Sequence, residues 1–124
     1  MNSLVIQKTD SSPEISFLAN GHLKIFGRSL PEDVHKFYDP IIGWVKNLKS
    51  DIVKVDLKLE YLNTSSTKKI LNLLVALDEN DNLSEINVNW HYEFDDLEME
   101  ELGGIYKDEL ERVKLHFIEG VDIF

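Results

Sequence analysis

Hydrophobic residues along this chain change period several times, and the changes mark its elements. Leu4 to Lys8 is a short apolar-rich run. After the turn signal Ser11-Ser12-Pro13, Glu14 to Leu18 alternates polar and apolar residues as a half-buried strand does. Asn20-Gly21 suits a tight hairpin turn, and His22 to Phe26 alternates again with Leu23 and Ile25 on one face. Ser29-Leu30-Pro31-Glu32 then reads as a helix start, with Ser29 as cap and an acid, Glu32 or Asp33, behind it. Val34, Phe37, Ile41, Trp44, Val45 and Leu48 keep helical spacing to Lys49, and Pro40 is expected to bend or split this helix. Ile52 to Leu59 returns to period two. A second helix is expected from about Thr64 to Leu77, closed by the polar turn Asp78 to Asn82, which reads as solvated. Ile86, Val88, Trp90 and Tyr92 alternate as a strand. Asp95 to Glu111 reads as a helix weakened by Gly103-Gly104, and Val113, Leu115 and Phe117 form a last strand.

Strand and helix units in alternation imply right-handed crossovers onto a largely parallel sheet. The expected class is α/β: a single mixed β-sheet, an N-terminal antiparallel hairpin followed by β-α-β-α-β-α-β. One domain is expected over residues 1–124, with no internal repeat. This layout is similar to the STAS-like domains of anti-sigma-factor antagonists, although layout alone says little about function.

Composition narrows the function classes. The chain has 124 residues and no cysteine, which excludes a disulfide scaffold, cysteine-ligated metal and a cysteine nucleophile. Its formal net charge of −10 argues against nucleic acid or an anionic membrane as main partner. The N-terminus lacks a basic region followed by an apolar run, and no apolar stretch approaches the ~20 residues of a membrane span. A cytoplasmic protein is expected.

The stretch from Glu60 to Lys69 carries the most chemistry. It leaves the carboxyl end of a strand and opens a helix, where open α/β sheets usually place their sites. Thr64, Ser65, Ser66 and Thr67 are four consecutive hydroxyl residues. At about 100° per residue, Ile70, Leu73, Leu74 and Leu77 define the core face, Ser66 falls near its centre, and Thr64 and Ser65 each fall roughly 130° away. Ser66 and Thr67 are therefore expected to support the turn, while Thr64 and Ser65 are presented to solvent. The first turn has no acid, and Lys68 and Lys69 follow it. Free backbone N–H groups, a positive dipole end and two lysines would accept a phosphate well. The other reading is plainer: Asn63 or Thr64 is simply an N-cap. Leu71 and Val75 lie on the Thr64 side, either as an apolar docking stripe or as packing against a neighbouring helix.

Other chemistries fit less well. A nucleophile elbow needs Gly-x-Ser-x-Gly, and Asn63 to Thr67 has no glycine, so a small enzyme with a Thr or Ser nucleophile is the remoter alternative. Asp78 to Asn82 imitates a calcium loop, but Leu83 stands where glycine is needed and Asn89 where a glutamate is needed. No Gly-rich phosphate loop or dinucleotide fingerprint occurs, so no metal and no cofactor are expected.

Leu62-Asn63-Thr64-Ser65-Ser66 after an alternating strand resembles the phosphorylation motif of the SiaC family of bacterial regulatory phosphoproteins. Ser29-Leu30-Pro31-Glu32 with Phe37, Pro40 and Trp44 is similar to that family's first helix. Trp90-His91-Tyr92, followed by Asp95, Asp96, Met99, Glu101 and Gly103, is similar to its acidic C-terminal third; Gly104 departs from the acid expected there. The resemblance implies a non-catalytic partner switch in biofilm and cyclic-di-GMP signalling. A cognate serine/threonine kinase would phosphorylate Thr64 (Ser65 being the alternative), and a PPM-type phosphatase would remove the phosphate. Asn63, Ser66 and Lys68 would support the switch region. The unmodified form would bind a diguanylate cyclase or another effector; an anti-sigma-factor-antagonist-like STAS switch with a different target is the alternative. The negative charge has a location: residues 93–111 hold nine acids and one lysine, net −8.

Overall fold

Six strands stand in the sheet in the order in which the chain makes them, so each new strand is laid against the previous one. The computed structural model describes residues 1–124. Its elements are β1 (Leu4–Ile6), β2 (Glu14–Phe17), β3 (His22–Ser29), α1 (Val34–Lys46), β4 (Ser50–Leu62), α2 (Thr64–Asp78), β5 (Leu83–Glu93), α3 (Leu97–Asp108) and β6 (Lys114–Gly120). Short turns join β1, β2 and β3, which pair antiparallel. Each later strand follows a helix and pairs parallel to its neighbour. The expected class and topology are therefore the observed ones.

Alternation decides which face is covered. Leu23 and Ile25 of β3, Val53, Val55, Leu57 and Leu59 of β4, and Ile86, Val88, Trp90 and Tyr92 of β5 all point to one side. There they meet Ile41 and Val45 of α1, Ile70, Leu73, Leu74 and Leu77 of α2, and Met99 and Tyr106 of α3. The opposite side of the sheet carries polar groups, among them Lys24, Asp56, Asn89 and His91. On that face His91 Nε2 lies 2.8 Å from Asp56 Oδ1, and Asn89 donates to the same oxygen at 3.2 Å. Burial alone would raise the Asp56 carboxyl, but these hydrogen bonds outweigh it and hold the group below its ordinary value.

Several local expectations are corrected. Ser29 is no helix cap: it ends β3, fully buried, and the cap of α1 is Asp33, whose carboxylate accepts from the Lys36 N–H at 3.1 Å. Pro40 neither splits nor ends α1, which is helical on both sides of it. The bond Pro40 cannot make is to the carbonyl of Lys36, an exposed residue whose oxygen water can satisfy. The inward stripe of α1 is Tyr38, Ile41, Ile42 and Val45, with Phe37 and Trp44 only half buried. The polar turn after α2 is a junction and not a solvated loop. Buried Asn80 donates to the carbonyls of Val45 (2.9 Å) and Leu48 (3.0 Å) at the end of α1. The Asp78 carboxylate accepts from the backbone N–H groups of Glu111 (3.2 Å), Arg112 (2.7 Å) and Val113 (2.8 Å). These bonds overcome the upward push of burial and hold Asp78 below the usual carboxylate range.

Gly103 also has a different role from the one its helix propensity suggests. It is buried against Trp90, so closely that a Cβ there would lie 2.6 Å from the indole Cδ1. The residue that weakens α3 locally is the one that lets it seat on the sheet.

Candidate functional site

The site begins with a bulge. At Gly27, whose φ of 125° favours glycine, the pairing of β3 with β4 shifts by one residue, so that Arg28 faces Tyr61 and Ser29 faces Leu62. The shift, which leaves Glu60 of β4 unpaired, keeps both strands paired to the edge of the sheet, and the alternation of β3 points the Ser29 side chain inward, beneath the start of α2. Ser29 Oγ donates to Ser66 Oγ at 2.8 Å, and Tyr38 Oη of α1 lies 2.5 Å from Ser29 Oγ. The Ser29 carbonyl accepts from the Asn63 N–H at 3.0 Å. Three elements thus hold one helix start through a buried chain of hydroxyls, and no buried side-chain polar atom in the protein lacks a partner. Burial pushes the Tyr38 hydroxyl up to about 12, against the lowering effect of Ser29 and Ser66, so it remains a neutral donor.

The first turn is built by its own side chains as well. Asn63 is the N-cap, accepting from the Ser66 N–H at 2.9 Å. Thr67 Oγ1 turns back to the Thr64 carbonyl at 2.6 Å. From the other side, Tyr106 Oη of α3 donates to the Thr67 carbonyl at 2.5 Å. Burial pushes Tyr106 upward, so it too stays protonated. The sequence does not assign Ser29, Tyr38 or Tyr106 to this site, and it presents Ser29 as a helix cap. Ser29 continues the inward series Leu23, Ile25 and Gly27, a signal that its caplike setting before Pro31 obscured.

Of the four consecutive hydroxyls, Ser66 is fully buried and Thr67 is engaged, while Thr64 and Ser65 are exposed and their hydroxyls make no hydrogen bond within the chain. Thr64 and Ser65 are the first two residues of α2, so their backbone N–H groups have no intrahelical partner. No acid occupies the first turn. The two lysines behind it differ. Lys69, one turn after Ser65, is bound to Asp39 of α1 at 2.6 Å, a bond that lowers the Asp39 carboxyl. Lys68, one turn after Thr64, is exposed and makes no ion pair or hydrogen bond. Leu71 and Val75 are both half buried. Leu71 packs on the core, and Val75 lines a shallow groove with Asp39, Ile42 and Lys69 between α1 and α2.

No helix is long and apolar enough to cross a membrane, and no three His, Asp or Glu side chains group in a way that could hold a metal ion.

Comparison with known proteins places this geometry. The chain is 34% identical over 98 residues to an uncharacterized protein of Pseudomonas aeruginosa (strain UCBPP-PA14), covering 75% of this chain and 78% of that one. The fold is similar to the solved structure of SiaC of Pseudomonas aeruginosa, with a TM-score of 0.82 and 26% identity, covering 97% of this chain and all of that one. It is equally similar to SiaC in the crystal structure of the diguanylate cyclase SiaD in complex with its activator SiaC from the same species: TM-score 0.82, 27% identity, 94% of this chain and 99% of that one. The family model of the SiaC family regulatory phosphoproteins matches residues 6–120. The chain belongs to the SiaC family of regulatory phosphoproteins.

Proposed function

We propose that this chain is a partner switch controlled at Thr64. Its unmodified form binds and activates a diguanylate cyclase, a serine/threonine kinase phosphorylates Thr64, and a PPM-type phosphatase restores the unmodified form. The observation that carries this reading is the state of the hydroxyl run: Thr64 is exposed, its hydroxyl is free of hydrogen bonds, and it is set at an acid-free helix start with an unpaired Lys68 one turn behind it. A phosphate on Thr64 meets unpaired N–H groups and a cation, an arrangement that stabilises it. Ser65 is the second candidate, but its own i+4 neighbour, Lys69, is committed to Asp39. Asn63, Ser66 and Lys68 support the switch, the first two by shaping the turn and the third by its charge. Leu71 and Val75 extend the surface from Thr64 along α2 as an apolar stripe for the partner.

Support for the cyclase as target comes from the Pseudomonas aeruginosa relative, a SiaC that activates the diguanylate cyclase SiaD. The protein acts by binding and is not itself an enzyme. Incubation with the cognate kinase and mass-spectrometric mapping should place the phosphate on Thr64, unchanged in Ser65→Ala and lost in Thr64→Ala. Modification that persists in Thr64→Ala defeats the assignment. In a cyclase assay, the unmodified protein should raise cyclic-di-GMP synthesis and the phosphorylated protein should not.

A further inference from the structure

The charge of this protein is not spread evenly over its surface. All three helices cover one side of the sheet, which leaves the other side bare. Six of the 13 Lys and Arg residues belong to that bare face: Lys8, Lys24, Arg28, Lys54, Lys58 and Lys114. Of the 23 acids, five do: Glu14, Asp56, Glu60, Glu85 and Glu93. The bare face therefore carries a formal +1, and the rest of the molecule −11.

The acids of this face are engaged, and two of its lysines are not. Glu14 pairs with Lys24 at 3.6 Å and Glu85 with Lys114 at 3.3 Å. The Glu93 carboxylate accepts from the backbone N–H groups of Asp122 and Ile123, and Glu60 stands apart at the carboxyl rim of the sheet. Lys54 and Lys58 make no ion pair. Across the strands Lys54 lies between His22 and Asn87, and Lys58 between Phe26 and His91, so no acid flanks either of them there. Asp56 stands between the two along β4, but one of its oxygens is shared by His91 and Asn89. Lys58 is half buried, so its charge has lost part of its water without gaining a partner. Leu18 shares a shallow hollow with Lys24 and Lys54, and Ile52 precedes Lys54 on the same face of β4; both side chains are exposed.

Unpaired cations with apolar side chains beside them complement a segment that carries carboxylates and a few apolar residues. Nucleic acid fits this face less well. Single strands need free aromatic faces on which bases stack, and the two aromatic rings here are occupied. Phe26 is covered by Phe124 at 5.9 Å and by the ammonium groups of Lys8 and Lys24 at 5.0 and 5.2 Å. Tyr61, at the rim, carries the Arg28 guanidinium at 5.7 Å. The negative helix side also repels a long polyanion, whereas a short acidic segment meets the bare face alone.

We propose that the open face of the sheet, centred on Lys54 and Lys58, is a docking surface for an acidic segment of a protein partner. It is separate from the Thr64 edge: β4 runs about 26 Å from Lys54 to Leu62 before Thr64 opens α2. The face is also the reverse of the one the helices cover, so one partner can be held here while another reads Thr64. Its existence does not depend on Thr64 being the switch.

The test uses a leucine–glutamate peptide, its leucine–lysine counterpart and a single-stranded oligonucleotide, each titrated into the isotope-labelled chain and followed by NMR. The glutamate peptide should shift residues 22–24, 54–58 and 87–91. It should bind about tenfold more weakly to the double variant Lys54→Gln, Lys58→Gln, and equally to Lys68→Gln and Thr64→Glu. Neither substituted lysine has a partner in the fold, so the double variant should keep the parent's spectrum outside the face. Lys68 is an exposed cation on the helix side, and an equal loss there would reduce the effect to general attraction and overturn the proposal. So would no binding, shifts confined to the helix side, equal binding of the lysine peptide, unchanged binding to the double variant, or tighter binding of the oligonucleotide. Self-association that is lost in the double variant would also overturn it, by making a second copy the occupant. Weaker binding to Thr64→Glu would overturn the independence of the two surfaces.

Discussion

Two adjacent glycines in α3 are expected to respond to alanine with opposite signs. An added Cβ at Gly104 meets nothing within 4 Å, whereas one at Gly103 lies 2.6 Å from both Cδ1 and Nε1 of Trp90 and 2.7 Å from Cε1 of Phe117. Ordinary contact begins near 3.4 Å, so the indole or the helix must give way by most of an ångström. The indole cannot do so freely. Trp90 is 1% exposed, its Nε1 donates to the Met99 carbonyl at 2.9 Å, and Tyr106 packs edge-on against it at 5.4 Å. Replacing glycine in a helix interior by alanine gains about 1 kcal/mol in propensity, and overpacking a core costs roughly 1–3 kcal/mol. Gly104→Ala should therefore be stabilised by up to about 1 kcal/mol. Gly103→Ala should be destabilised by a net amount of about 0–2 kcal/mol, and so lie about 1–3 kcal/mol below Gly104→Ala. For a domain of this size each kcal/mol moves Tm by about 3–6 °C, so thermal unfolding followed by tryptophan fluorescence separates the two variants easily. A Gly103→Ala protein as stable as Gly104→Ala would mean that α3 does not seat on Trp90 as described. The Tyr106 hold on Thr67 would then lose its physical basis.

Phosphorylation of Thr64 should leave the fold intact and raise stability by about 0.3–1 kcal/mol at low salt, read as a small upward shift of Tm; a large loss would refute the helix-start geometry. Removing the cap in Asn63→Ala should cost about 1 kcal/mol and speed amide exchange in the first turn of α2, with little change in α1. Tyr106→Phe should likewise speed exchange at the start of α2 by removing the donor to Thr67, at a cost of about 1 kcal/mol. Asp78→Asn should cost about 1–2 kcal/mol at neutral pH, measured by denaturant unfolding across pH. Because the folded Asp78 carboxyl lies below its unfolded value near 3.9, its contribution is complete above that value. It is lost as pH falls through the folded value, so the two proteins should converge in acid and differ fully at neutral pH.

The order of elements and the change from antiparallel to parallel pairing were legible because each element changes period where it begins; the order of strands in the sheet was not, because right-handed crossovers can place helices on either face. The outward placement of Thr64 and Ser65 was legible for a related reason: Ile70, Leu73, Leu74 and Leu77 fix the helix's rotation, and four residues suffice to orient the rest. What supports the site was not legible, since it depends on contacts between distant segments. Ser29 before Pro31 and Glu32 carries every local mark of a helix cap, and only the continuation of β3 through it makes it the buried partner of Ser66. Gly103 reads as a weak point until Trp90 is placed beneath it. Asp78 and Asn80 read as solvent-loving until the unpaired backbone groups at the end of α1 and the start of β6 are known. Lys68 and Lys69 are alike in sequence; only Asp39, thirty residues away, distinguishes them.

These supports constrain how a switch at Thr64 can work. A phosphate can act by remodelling the fold or by changing the surface, and the two demand different scaffolds. Remodelling needs a segment held by little. The first turn of α2 is instead fixed from below by Ser29 and Tyr38, from the side by Tyr106, and along its own axis by Asn63 and Thr67. Breaking this set would release several buried hydrogen bonds, each worth about 1 kcal/mol net and more if a donor is left unpaired. A phosphate already stabilised by free N–H groups and Lys68 offers nothing to offset that loss. A phosphate on Thr64 would therefore act at the surface, where about two negative charges and their hydration shell would arrive at the start of α2 on a scaffold that does not move. Discrimination between the two forms then lies with the partner, whose docking face must tolerate a bare hydroxyl and reject a hydrated anion at one position.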